Sequence, residues 1–165
     1  MTAVRKIPAQ HPFIDPAVIL NVSNGVTETL QVMAKITADF QKPFIASNWR
    51  APTDFSVHLT LNSDPYRGRI QFHFNKNIIK QIIKNMLDEG AATDDESLLD
   101  CIGEITNMFY GAAKTKLNAS GFNLSMTIPK PCLTQKLPQA THETTCMVIP
   151  FKVDAEVCYI EIIIF

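Results

Sequence analysis

The chain has 165 residues, 46% of them hydrophobic, which is enough for one good core and points to a single domain. Its 15 basic and 16 acidic side chains leave a formal charge of −1 with no local block of Lys and Arg, so the attraction that drives nucleic-acid binding is missing. No apolar run of about 18 residues is present to cross a membrane. Residues 1–13 are polar, broken by Pro8 and Pro12, and lack the apolar stretch of a secretory signal, so a cytoplasmic location is expected.

Residues 1–14 read as a flexible arm, and 15–165 as one domain. Asp15-Pro16 is an N-cap followed by Pro at the first helical position. Ile19, Val22, Val26, Leu30, Met33 and Ile36 then recur at steps of three and four, predicting a helix over 16–38. Phe55, Val57, Leu59 and Leu61 alternate with Ser56, His58 and Thr60, and Ile70, Phe72 and Phe74 alternate with Gln71 and His73. This period of two, with turn residues Asn62-Ser63-Asp64-Pro65 between, predicts an antiparallel hairpin whose polar, solvated face carries His58 and His73.

Asn75 is placed to cap a second helix, given a broad apolar face by Ile78, Ile79, Ile82, Ile83, Met86 and Leu87 and ended by Gly90. Thr93 with Glu96 makes a capping box for a third helix running to about Asn118, with Gly121 as a stop and Leu98, Ile102, Ile105 and Phe109 as its core stripe. Strands are expected over 122–128, 144–151 and 157–165, with a Pro- and Thr-rich loop at 129–143. The halves 16–74 and 96–165 each read as a helix followed by three strands, a weak internal repeat. Helices on a largely antiparallel sheet make an α+β fold. The last strand, Tyr159 to Phe165, is strongly apolar. At a sheet edge it would invite pairing with a second copy; in the middle of the sheet it would be buried.

Cys101, Cys132, Cys146 and Cys158 are irregularly spaced and read as small buried hydrophobes. His11, His58, His73 and His142 are equally scattered, so no metal site built by this chain is expected.

The third helix carries a second line of residues away from its core stripe: Asp100, Glu104, Asn107, Gly111 and Lys114, at steps of four, three, four and three. A carboxylate can pair with a partner's cation. A carboxamide both donates and accepts hydrogen bonds, and so can hold a water in line with a leaving group, a device used in phosphoryl hydrolysis. Neither is a nucleophile, so the electrophile and any metal must come from elsewhere. Gly111 costs the helix about 1 kcal/mol relative to Ala. It has two accounts: close packing against another helix, or a bare patch over which a partner approaches. Lys114 has a simple account as a solvated helix charge.

The run Glu104-Ile105-Thr106-Asn107-Met108, with Gly111, Ala113-Lys114, Leu117, Gly121 and Ile128-Pro129, resembles the signature of the CheC-like phosphatases. Asp100, Glu104, Asn107 and Pro129 occupy the motif positions, although the gap from Asn107 to Pro129 is one residue short of the family spacing. Only the later helix carries the pair, because the first has Glu28-x-x-Gln31 instead; the resemblance is therefore to the CheX type. It implies a homodimer and a phosphatase for the phosphorylated aspartate of a CheY-like receiver. Glu104 would pair with the receiver's lysine and Asn107 would orient the attacking water. Asp100, Gly111, Lys114 and Pro129 would serve docking. No cofactor of its own is implied, Mg²⁺ being supplied by the receiver. Two rivals stand beside this reading: a non-catalytic adaptor of the flagellar-switch kind with the same fold, and an unrelated small-ligand module, for which the sequence offers no pocket signal.

Overall fold

The computed structural model describes residues 11–87, 94–123, 125–137 and 144–165. Helix α1 (Pro16–Ala34) starts as expected: Asp15 Oδ1 accepts the Ala17 N–H at 2.8 Å, and Pro16 opens the first turn. It stops four residues short of the expected end. Lys35 turns left-handed (φ 55°), and the Ile36 N–H reaches back to the Leu30 carbonyl at 3.1 Å, which closes the helix while still burying Ile36. Two short strands follow, β1 (Asp39–Phe40) and β2 (Phe44–Ser47), and then the hairpin β3 (Phe55–Ser63) and β4 (Tyr66–Phe74). Helix α2 (Lys76–Leu87) is not capped by the Asn75 side chain. The Lys76 N–H goes to Asp54 Oδ2 at 2.8 Å, while Asn75 Nδ2 donates to Glu156 at 2.7 Å.

Helix α3 (Asp95–Ala119) begins at Asp94, whose carboxylate accepts the Ser97 N–H at 2.9 Å. Thr93 and Gly90, the expected cap and stop, lie outside the described residues. Of the expected strand over 122–128 only β5 (Ser125–Met126) forms, and beyond Pro129 part of the expected 129–143 loop is instead the strand β6 (Lys130–Leu133). The hairpin β7 (Thr145–Val153) and β8 (Glu156–Ile164) completes the described chain.

The fold is α+β, and each half contributes one long helix, two short strands and a hairpin: four strands rather than the expected three. All pairings are antiparallel, in the order β1-β7-β8-β4-β3-β5, with β2 also on β7 and β6 also on β3. The short strands therefore flank the other half's hairpin, and β4 and β8 meet at the centre, Gln71 opposite Glu161. The C-terminal strand is thus central, hydrogen-bonded on both sides, and cannot extend the sheet into a second copy.

The helices share one core with Ile70, Phe72, Phe74, Ile160 and Ile162 from the central strands, where the Phe109 ring lies 5.7 Å from that of Phe72. Helices α1 and α3 approach closely at Gly25. A Cβ there would come within 2.9 Å of the Ala113 nitrogen and 3.0 Å of the Phe109 carbonyl oxygen. The expected arm is already packed from His11 onward. Pro12–Ile14 form a 3₁₀ turn, and Phe13 is fully buried over Gly68, where a Cβ would clash with its ring at 2.7 Å.

On the opposite face, His73 is buried rather than solvated. Its Nδ1 lies 2.7 Å from Ser56 Oγ and its Nε2 3.0 Å from Glu161 Oε2, to which Gln71 Nε2 also donates at 3.3 Å. The sequence of groups suggests a Ser-His-Glu nucleophile, but Ser56 is 0% exposed and no substrate can reach its oxygen. It is a buried polar network in which Ser56, His73 and Glu161 satisfy one another.

Candidate functional site

Ile105 and Thr106 of α3 are buried against the rest of the fold, and Glu104 and Asn107 on either side of them project outward. Both are exposed, and neither makes a hydrogen bond or ion pair with another described residue. With exposed Asp100, they form the polar wall of a groove of ≈ 610 Å³. The groove is also lined by Leu87, at the end of α2, and by Ile128 and Pro129, between β5 and β6. Pro131 packs beside Gly103, with 3.4 Å between its ring and a Cβ placed there, which brings β6 against α3 at this point. The structure thus brings Asp100, Glu104, Asn107 and Pro129 together.

Gly111 and Lys114 lie further along α3 and do not line the groove. A Cβ at Gly111 meets nothing within 4 Å, which removes the close-packing account; the glycine that does this work is Gly25, on α1. Lys114 Nζ sits 5.6 Å from the centre of the Tyr110 ring, a contact within its own helix. On α1, Glu28 is tied to Lys116 at 2.8 Å, and Gln31 accepts the Thr37 hydroxyl at 3.3 Å, so that pair does not present a free carboxylate and amide.

The groove offers no strong nucleophile. Cys101 lines it, but burial and then the Asp100 charge push its thiol above the usual range, keeping it neutral. The other thiols are held neutral by burial, Cys158 at about 12. Among the described residues no group of three or more His, Cys, Asp and Glu could hold a metal ion. What remains is an exposed carboxylate beside an exposed amide, neither paired with a described residue.

Sequence reasoning missed the apolar wall. Leu87 falls on the apolar face expected for α2 yet is 64% exposed, and Ile128 is 83% exposed. The available signal was an isoleucine directly before a motif proline, at a place where the strand pattern fails.

Two long helices packed on a pseudo-symmetric antiparallel sheet are the architecture of CheC-like proteins. The chain superposes with a TM-score of 0.78 on a CheC-like superfamily protein from Shewanella sp. PV-4, at 24% identity over 92% of this chain and 99% of that one. It matches the chemotaxis protein CheX of Vibrio vulnificus with a TM-score of 0.75 and 26% identity, over 90% and 99% of the two chains. It also has the fold of a CheX–CheY–BeF3–Mg²⁺ complex from Borrelia burgdorferi (TM-score 0.69, 19% identity, 89% and 97% covered). No curated protein matches the sequence. The family model for chemotaxis phosphatase CheX matches residues 56–152, more than half of the chain, and the chain belongs to that family.

Proposed function

We propose that this protein hydrolyses the aspartyl phosphate of a CheY-like receiver in the cytoplasm. The observation that carries the reading is the pair Glu104 and Asn107, exposed and unpaired side by side on α3 at a groove. The Borrelia complex, in which a CheX of the same fold is bound to CheY with BeF3 and Mg²⁺, supports the class of partner.

Glu104 pairs with a receiver lysine and fixes the register of docking. Asn107 Oδ1 accepts a hydrogen bond from the attacking water and aligns its oxygen with phosphorus. As the new P–O bond forms, the bond to the aspartate oxygen breaks, the carboxylate leaves, and the water proton ends on the phosphate product. The receiver supplies the Mg²⁺ that bears the developing charge. This chain contributes position rather than a new nucleophile, and positioning alone is worth orders of magnitude in rate. Asp100 and Pro129 shape the docking edge, and Gly111 and Lys114 lie where a docked receiver would extend along α3. We also read the chain as a homodimer; sheet extension for it is open to the outer strands β1–β2 and β5–β6, not to β8.

The test is the decay of a ³²P-labelled receiver with and without the protein, in the presence of Mg²⁺. Acceleration that is abolished in Asn107→Ala supports the reading. No acceleration of any CheY-like receiver from the same organism moves the assignment to a non-catalytic adaptor.

A further inference from the structure

The groove has a second chemistry that hydrolysis does not require. Beside Asp100, Glu104 and Asn107 the groove is lined by Leu87 and Ile128, two large apolar side chains left 64% and 83% exposed. Ile128 is not on a loose loop. The residue before it, Thr127, is tied to β3 twice: its N–H donates to the Thr60 carbonyl at 3.2 Å, and its Oγ1 accepts the Thr60 N–H at 2.9 Å. After it come Pro129, with its fixed φ, and β6, whose Lys130 and Pro131 are registered against His58 and Val57. An apolar side chain pinned on both sides and turned to solvent is preorganised for contact, since little ordering entropy is lost when a partner covers it. The polar wall adds a second requirement, because Asp100 and Glu104 share the groove without a cation from the described residues.

We infer that this wall determines which receiver is accepted. The groove takes a receiver surface that presents an apolar side chain, seated between Leu87 and Ile128, beside a basic group that meets Asp100 and Glu104. The inference rests on the receiver-phosphatase reading and deepens it: Asn107 acts on bound phosphoryl groups alike, and the apolar wall sets how often the right receiver is bound. Apolar contact made equally in the ground and transition states moves KM and leaves kcat alone.

The experiment uses the full chain and a CheY-like receiver from the same organism, phosphorylated with acetyl phosphate. Initial rates are measured against receiver concentration for wild type, Ile128→Ser, Leu87→Ser and the conservative Ile128→Val. Binding of the same receiver is measured in the Asn107→Ala background, where turnover is removed. Both positions are exposed, so the variants should keep the wild-type melting temperature. The expected result is a KM raised about tenfold in Ile128→Ser, with kcat within twofold and a matching loss of binding, as follows from uncovering an isoleucine. Ile128→Val, which keeps most of the apolar contact, should fall between wild type and Ile128→Ser. Unchanged KM and binding in both Ser variants would overturn the inference while leaving the phosphatase intact. If wild type does not hydrolyse, the catalytic reading fails, and the binding series still decides the groove: loss of binding in the Ser variants upholds it. A folded wild type that binds no receiver overturns it.

Discussion

The two helix glycines make opposite predictions under the same substitution. In Gly25→Ala the new Cβ meets the Ala113 nitrogen at 2.9 Å, the Phe109 carbonyl oxygen at 3.0 Å and the Ala113 Cα at 3.2 Å. All three are backbone atoms, so no side chain can swing away and α1 must move off α3. Overpacking of this kind costs roughly 1–3 kcal/mol. The better helix propensity of Ala returns about 1 kcal/mol. Because the obstacle is rigid, the upper part of the range applies, giving a net loss of about 2 kcal/mol. In Gly111→Ala the Cβ meets nothing within 4 Å, so the propensity gain of about 1 kcal/mol stands alone. For a chain of this size each kcal/mol moves the melting temperature by about 2–4 °C. Thermal unfolding followed by circular dichroism should therefore separate the two variants by about 6–12 °C, with wild type between them. A Gly25→Ala protein as stable as wild type, or a Gly111→Ala protein less stable, would refute the reasoning. The same Gly111→Ala protein also tests the bare-patch account: a more stable protein with weaker receiver binding is the signature of a partner approaching over that glycine.

Asn107→Ala should reduce receiver dephosphorylation by on the order of a hundredfold or more while changing stability by less than about 0.5 kcal/mol, because its side chain is exposed and makes no hydrogen bond or ion pair with a described residue. Glu104→Lys should fail at binding as well, read as a lost signal in receiver titrations. Glu161→Ala should destabilise the fold by about 1–3 kcal/mol, since it leaves the buried His73 Nε2 and the Gln71 amide without their shared acceptor, and denaturant unfolding measures this. Ser56→Ala, in the same network, should leave dephosphorylation at the wild-type rate, because its hydroxyl is sealed from substrate. His58 is pushed below its usual pKa of 6.5, first by burial and then by Arg69 and Lys130, and His11 is pushed down by burial. The unfolded chain therefore binds more protons than the folded one just below pH 6.5, so stability is fully present above that pH and falls as the pH drops through it. Melting temperatures between pH 7.5 and 5 should show this acid-side loss, reduced in His58→Gln.

What could be read directly from the sequence was whatever depends on neighbours close in the chain. The Asp15-Pro16 start, the alternation in Phe55–Ser63 and the outward line Asp100, Glu104, Asn107 are all local patterns, and each has its counterpart in the structure. The misses depend on distant partners. Strand β2 shows no alternation because it is an outer strand whose Phe44 and Ile45 stay exposed. The Lys76 N–H is taken by Asp54, 22 residues away, which no window around Asn75 could reveal. His73 sits in a polar alternation, yet its register with Tyr159 and the Glu161 carboxylate bury it. Leu87 continues the apolar run of α2, but the helix outlasts the core that covers it.

The groove's position follows from where the internal symmetry fails. Helices α1 and α3, the two hairpins and the two pairs of short strands have counterparts across the β4–β8 junction. Helix α2, which joins the halves, has none among the described residues. Its last turn is held at the C-terminal end of α1, where Asn85 Nδ2 donates to the Ala34 carbonyl at 2.8 Å and satisfies an otherwise open helix terminus. That anchor carries Leu87 to the face of α3 and supplies the groove with a wall that the internal symmetry does not duplicate. The corresponding face of α1 is closed in another way, by the Glu28–Lys116 ion pair. One half can therefore keep an unpaired carboxylate and amide beside a groove while the other half does structural work. A near-symmetric fold thus comes to present, among the described residues, a free carboxylate–amide pair on α3 but not on α1.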